Sequence, residues 1–195
     1  MTSTSDFYLQ NAQQFYDLTV SVEASELYER FLPLIPAGGR ILDAGCGSGR
    51  DARAFFNRGY EVTGFDACAP LAEMASKLLE QPVMACQFNE FTSELPFDGI
   101  WACASLLHIT YAELAETMNY LASFLLPSGY FYCSFKYGEG EGNVGGRHFT
   151  YLNENGIQSL SELAGLSVYQ SWVTHDLRPE RASEKWLNVI LKHAS

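Results

Sequence analysis

The sequence predicts a doubly wound α/β fold on a seven-stranded sheet, mostly parallel, with an antiparallel last strand. Three observations predict it. Short apolar runs alternate with helix-like segments along the chain, as in successive strand–helix–strand units. The run Phe97–Ala104 is almost continuously apolar, which suits a parallel strand covered on both faces. The stretch RILDAGCGSGRDARAFFNRGYEVTGFD, Arg40–Asp66, leaves a strand through three glycines, restarts as a helix and ends a second strand on a carboxylate.

In chain order, Asp6–Leu18 is expected to be helical, and Ser21–Phe31 a second helix that Pro33 and Pro36 stop. Ile41–Ala44 reads as a buried strand and Arg50–Asn57 as the next helix, closed by Gly59. Glu61–Phe65 is the second strand. Pro70–Leu79 is a helix with its proline in the first turn, where a missing N–H costs little. Val83–Gln87 and Phe97–Ala104 are the third and fourth strands. Tyr111–Leu125 is a helix ended by Leu126–Gly129, and Tyr130–Lys136 is the fifth strand. The glycine-rich Gly138–Gly146 reads as a mobile loop. After a helix at Asn153–Ala164, the strands Ser167–Thr174 and Trp186–Lys192 are joined by a loop alone, so they run antiparallel. Ligands of such a sheet bind at its C-terminal strand ends.

Composition limits the functions open to this chain. Its 195 residues are 47% apolar and 14% aromatic, enough for a packed domain and too apolar for disorder. The net charge is −11, from 23 acidic and 12 basic residues, with no Lys/Arg cluster. Nucleic-acid binders draw much of their affinity from phosphate neutralisation, so DNA, long RNA and anionic membranes are unpromising partners. No apolar run has bilayer-spanning length. Nothing resembles a signal peptide, the first basic residue being Arg30, and the expected location is the cytoplasm. Five cysteines without a C-x-x-C pair and four histidines without ligand spacing indicate neither a disulfide framework nor a metal site.

The chemistry concentrates between Arg40 and Asp66. Gly45, Gly47 and Gly49 allow a tight turn and let a ligand touch the backbone. The helix that follows offers free N–H groups and the positive end of its dipole. Asp66 lies about 20 residues beyond the glycines, where a carboxylate can accept from both hydroxyls of a ribose. A nucleoside cofactor is expected. A dinucleotide loop would read G-x-G-x-x-G, but here Arg50 stands in place of the third glycine and Asp43 precedes the first by two residues.

D-A-G-C-G-S-G-R, from Asp43 to Arg50, resembles motif I of the class I S-adenosylmethionine-dependent methyltransferases. V-T-G-F-D resembles their second motif. F-D-G-I-W-A-C-A-S-L-L-H-I and L-L-P-S-G-Y-F-Y-C-S-F-K are similar to their fourth strand and fifth-strand approach. The likeness runs roughly from Arg40 to Lys136 and is closest to small bacterial methyltransferases of the tellurite-resistance type. It implies a single domain, with a Rossmann-like core over 37–195 and an N-terminal helical lid over 1–36. It also implies S-adenosyl-L-methionine as cofactor. Asp43, Ala44, Gly45, Cys46, Gly47, Gly49 and Arg50 would hold the methionine part, and Asp66 with Ala67 the ribose. The acidic residue that the family often places after its third strand is missing. The adenine contact is therefore expected from Gln87–Glu90, with Asn89 as the named residue. Ala104 after the fourth strand completes the set.

Three residues are candidates for work on the acceptor. His108 follows the fourth strand and reads equally as a general base or as a packed structural histidine. Tyr16 lies in the lid helix, and Arg147 in the stretch after the fifth strand, together with Lys136, Tyr137, Glu139 and Glu141. Arg178, His148 and His175 are weaker candidates. The expected activity is methyl transfer to a small-molecule acceptor, by a monomer or homodimer. The alternatives are a module that binds S-adenosylmethionine or S-adenosylhomocysteine without turnover, and a short NAD-dependent enzyme.

Overall fold

The computed structural model describes residues 3–194. The central sheet takes its strands from β1 (Arg40–Ala44), β2 (Glu61–Asp66), β3 (Met84–Ala85), β4 (Phe97–Ala102), β5 (Leu125–Lys136), β8 (Leu166–His175) and β9 (Lys185–His193). Their order is β3-β2-β1-β4-β5-β9-β8, with β9 antiparallel to both neighbours, as the sequence predicts. The chain steps outward from β1 to β3, then crosses back to β4. The strand order therefore reverses between β1 and β4, and ligands bind at such a switch point.

Period-two alternation decides which side chain faces which layer. Leu42, Ile100, Phe131, Val189 and Leu191 pack on one face, against α5 (Tyr111–Ala122) and α6 (Glu154–Leu163). Ile41, Trp101, Tyr132 and Ile190 pack on the other, against α2 (Ser25–Phe31) and α3 (Arg50–Phe56). Both sets are buried, so the strands read as continuous apolar runs. Trp101 and Tyr132, neighbours in the β4–β5 register, stack with centroids 3.7 Å apart.

Several elements differ from the sequence expectation. The first helix, α1, runs Thr4–Thr19. Ser3 caps it, accepting from the Asp6 N–H while Asp6 accepts from the Ser3 N–H. It kinks at Asn11, whose amide donates to the Phe7 carbonyl. The second helix begins at Ser25, not Ser21, and buries Leu27, Tyr28 and Phe31 in the core. α1 lies outside that core, packed on the helix Ala69–Leu79. β4 ends at Ala102 because Ala104 is left-handed, with φ +52°. Leu126–Gly129 belong to β5 and do not terminate a helix. Gly138–Gly146 is not simply a loop: β6 (Glu141–Val144) and β7 (Arg147–Thr150) form a hairpin. Gly145 and Gly146, at φ +58° and +80°, make its two-residue turn, which requires positive φ at both positions.

α4 (Ala69–Leu79) carries α1 on its outer surface. Ala12, Cys68 and Leu71 form a small apolar cluster there with Tyr8, Phe15, Tyr16 and Met74. Among the described residues, no helix is long and apolar enough to cross a membrane.

Candidate active site

A cavity of about 630 Å³ opens at the C-terminal ends of the strands, beneath α1. Its volume lies within the range of small-ligand sites. The glycine loop forms one wall. The N–H groups of Gly45 and Cys46 both donate to the Phe65 carbonyl at 2.9 Å, which pins the loop to β2. Gly45 has φ +77°, and a Cβ there would stand 2.6 Å from the Cβ of Ser105. Ser105 in turn donates its hydroxyl to the Ala44 carbonyl at 2.7 Å. The loops after β1 and β4 are thus in direct contact.

Asp66 ends β2 at the cavity wall. Its Oδ2 accepts the Gly47 N–H and its Oδ1 the Cys68 N–H, both at 2.8 Å. Burial raises its pKa, and the two N–H groups oppose that shift. Each oxygen has a lone pair left over, the arrangement a ribose diol needs. Asp43 accepts the Ala52 N–H at 3.0 Å and so orients the start of α3. Burial, and then the Asp51 charge, push the Asp43 carboxyl up.

Arg50 is committed to Asp51, with Nε at 2.6 Å and Nη2 at 3.0 Å from its two oxygens. Asp51 also accepts the Tyr28 hydroxyl and the Trp101 indole N–H, the latter at 2.8 Å. Burial alone would push Asp51 up. Arg50 and these donors outweigh it and hold the carboxyl below its usual range.

The other end of the cavity is built by His108, Tyr8 and the hairpin. His108 Nδ1 lies 2.7 Å from the His148 carbonyl, which can only accept, so the proton sits on Nδ1. Nε2 then accepts from the Tyr8 hydroxyl at 2.9 Å. Both ring nitrogens are occupied. Burial lowers the His108 pKa to about 4, so the ring is neutral at pH 7 and holds the Tyr8 hydroxyl in place. An unfolded histidine titrates near 6.5. Between pH 6.5 and 4 the unfolded chain takes up this proton and the folded chain does not, so stability falls as pH drops through that window. In an NMR titration, the His108 ring resonances are expected to stay constant down to about pH 5. A midpoint at 6–7 would contradict the burial argument.

Cys46, Gly47, Asp43, Arg50, Asp66, Ala67, Asn89, Ala104, Gly45, His108 and Arg147 all line this cavity. Ala44, Gly49 and Tyr16 do not. Ala44 is fully buried in β1. Gly49 packs on α4, where a Cβ would meet Ala75 at 2.9 Å. Tyr16 faces the α1–α4 cluster. Tyr8 and Phe15, seven residues apart on one helix face, take the place expected of Tyr16, and that spacing was the available signal. Lys136, His175 and Arg178 line the cavity as well. Tyr137 and Glu139 instead bind Glu154 and Asn153. Glu141 holds the Tyr111 N–H and the His148 ring. Glu90 caps the short turn after β3 by accepting the Gln87 N–H. Among the described residues, no cluster of side chains suits a metal ion.

Residues 16–171 match the methyltransferase-domain family, and the chain belongs to that family. The putative methyltransferase YqeM of Bacillus subtilis (strain 168) is 30% identical over 102 residues, covering 49% of this chain and 41% of that protein. The chain matches half or less of the length of its curated relatives. The 1,6-didemethyltoxoflavin-N1-methyltransferase of Burkholderia thailandensis, solved with 1,6-didemethyltoxoflavin and S-adenosylhomocysteine, superposes with a TM-score of 0.77. It is 21% identical, over 98% of this chain and 87% of that one. A TehB-like S-adenosylmethionine-dependent methyltransferase from Corynebacterium glutamicum gives a TM-score of 0.70 at 20% identity, over 96% and 99%. The cavity suits S-adenosyl-L-methionine. Gly47 leaves bare backbone opposite Phe15, only 3.2 Å from where a Cβ would sit, and Asp66 offers the paired acceptors.

Proposed function

We propose that this chain transfers the sulfonium methyl of S-adenosylmethionine to a small-molecule acceptor. One observation carries this reading. A single cavity is lined both by the glycine loop with Asp66 and, under α1, by Tyr8, His108 and Arg147. An acceptor in that second half lies beneath a helix, in a volume too small for a folded polymer. The cofactor supplies an activated methyl and a thioether leaving group.

The chain's part is positional. The Gly45–Gly47 backbone would hold the methionine portion, Asp66 the ribose hydroxyls and Asn89 the base edge. α1 keeps water from the reacting centre. Holding the acceptor nucleophile in line with the methyl can contribute roughly 7–11 kcal/mol. His108 serves as a positioning residue. Its neutral ring fixes Tyr8, whose oxygen keeps a lone pair for orienting the acceptor.

The test is calorimetry with S-adenosylhomocysteine, followed by an acceptor screen with isotope-labelled cofactor, read by product mass. His108→Ala should bind the cofactor within about threefold of wild type and lose tenfold or more in transfer, with no new limb near pH 6–7 in the rate. Absence of S-adenosylhomocysteine binding would reject the proposal.

A further inference from the structure

We propose that the methyl acceptor carries an anionic group, a carboxylate or similar oxyanion, that docks on the guanidinium of Arg147. This rests on the methyltransferase reading and names the class of acceptor that the second half of the cavity fits.

The observation is an imbalance among the cations of the cavity. Arg50 pairs with Asp51 at 2.6 Å, Lys136 with Glu184 at 2.7 Å, Arg178 with Asp176 at 2.7 Å and Arg181 with Glu184 at 2.6 Å. Arg147 forms no ion pair among the described residues, and its Nε is shielded from solvent without a hydrogen-bond partner. This is unexpected in a chain with 23 acidic residues and a net charge of −11. Carboxylates do line the same cavity, Glu113 and Glu116 from α5. Glu113 accepts the Thr110 hydroxyl, and Glu141 is held by the Tyr111 N–H.

The surroundings of Arg147 fix its plane. Its Cζ sits 4.4 Å from the Phe7 ring centroid, 5.1 Å from that of Phe149 and 6.0 Å from that of Tyr8. Aromatic faces attract the guanidinium, but they accept no N–H bonds in its plane. A shielded N–H without an acceptor is costly, and the cost is relieved when an anion arrives. A guanidinium held between rings presents a planar fork that matches a carboxylate through two parallel bonds. The neutral His108 beside it adds no competing charge. An acceptor held by its anionic end at the hairpin would direct its remaining atoms toward the glycine loop.

The experiment uses the full chain saturated with S-adenosylhomocysteine. Benzoate, its neutral isostere benzamide and inorganic phosphate are titrated in turn. Calorimetry gives affinity, and the ¹⁵N–¹H signal of the Arg147 side-chain Nε reports contact. Benzoate or phosphate should bind and move that signal, and benzoate should bind at least tenfold more tightly than benzamide. Arg147→Met should abolish the preference while keeping S-adenosylhomocysteine affinity within about twofold, which also shows that the variant folds. The proposal is overturned if neither anion moves the signal, if acid and amide bind alike, or if the preference survives in Arg147→Met. It is also overturned if that variant loses cofactor affinity, because Arg147 would then read the cofactor's own carboxylate. Wild-type protein that fails to bind S-adenosylhomocysteine rejects the methyltransferase reading before any probe is added, and the acceptor proposal with it.

Discussion

Replacing Asp51 by Ala is expected to destabilise the fold by roughly 3–5 kcal/mol, the usual cost of removing one partner from a buried ion pair. Its carboxylate takes four hydrogen bonds, two from Arg50 and one each from Tyr28 and Trp101. Without it the Arg50 guanidinium loses its ion-pair partner, and a phenol and an indole N–H lose their acceptor. These groups join α2, α3 and β4, so the loss is felt in the second core layer as well as at the cavity. Tyr28→Phe removes one donor and should cost only about 1–2 kcal/mol. Urea denaturation of the two variants separates these magnitudes. An Asp51→Ala protein within about 1 kcal/mol of wild type would show that the ion pair does not organise this layer.

Asp66→Ala is expected to weaken S-adenosylhomocysteine binding at least tenfold while the protein stays folded. Two hydroxyl–carboxylate bonds are lost, each worth about 1.5–3 kcal/mol. The Gly47 and Cys68 N–H groups also lose their acceptor, so the loop is less firmly held. Asp66→Asn keeps one acceptor oxygen and should fall between wild type and Ala. Because burial already raises the Asp66 pKa, affinity should decline in mild acid, and that decline should vanish in the Ala variant. An unchanged dissociation constant in Asp66→Ala would place the ribose elsewhere.

The sheet was legible because its strands are buried on both faces. Ile41 and Leu42, or Trp101 and Ile100, go to opposite layers and are equally apolar, so each strand appears as an unbroken run. The glycine loop and Asp66 were legible because both lie within one strand–helix–strand unit. The β6–β7 hairpin was hidden. Its residues E-G-N-V and R-H-F-T do not alternate in polarity, and its register depends on the Gly145–Gly146 turn. The second helix starts late because Ala24, at φ −130° and ψ 16°, is not helical, and composition does not signal this. The contacts around Asp51 reach 23 and 50 residues along the chain, and Tyr8 meets His108 across 100 residues. No local pattern encodes such distances. Tyr16 is the aromatic that the sequence reading names for the lid, whereas Tyr8 and Phe15 are the ones that reach the cavity.

The close approach of Gly45 and Ser105 has a consequence for anyone who would re-engineer this protein. With 2.6 Å between a would-be Cβ and the serine Cβ, Gly45 cannot grow while position 105 keeps a Cβ, and removing the Ser105 hydroxyl alone leaves that Cβ in place. These two sites, 60 positions apart, therefore form one mutational unit that random libraries will nearly always break. The hairpin carrying Arg147 is under no such lock, since a Cβ at Gly142 would meet nothing within 4 Å. Under the proposed function, diversity placed there would retune which molecules are accepted while the glycine loop is inherited unchanged.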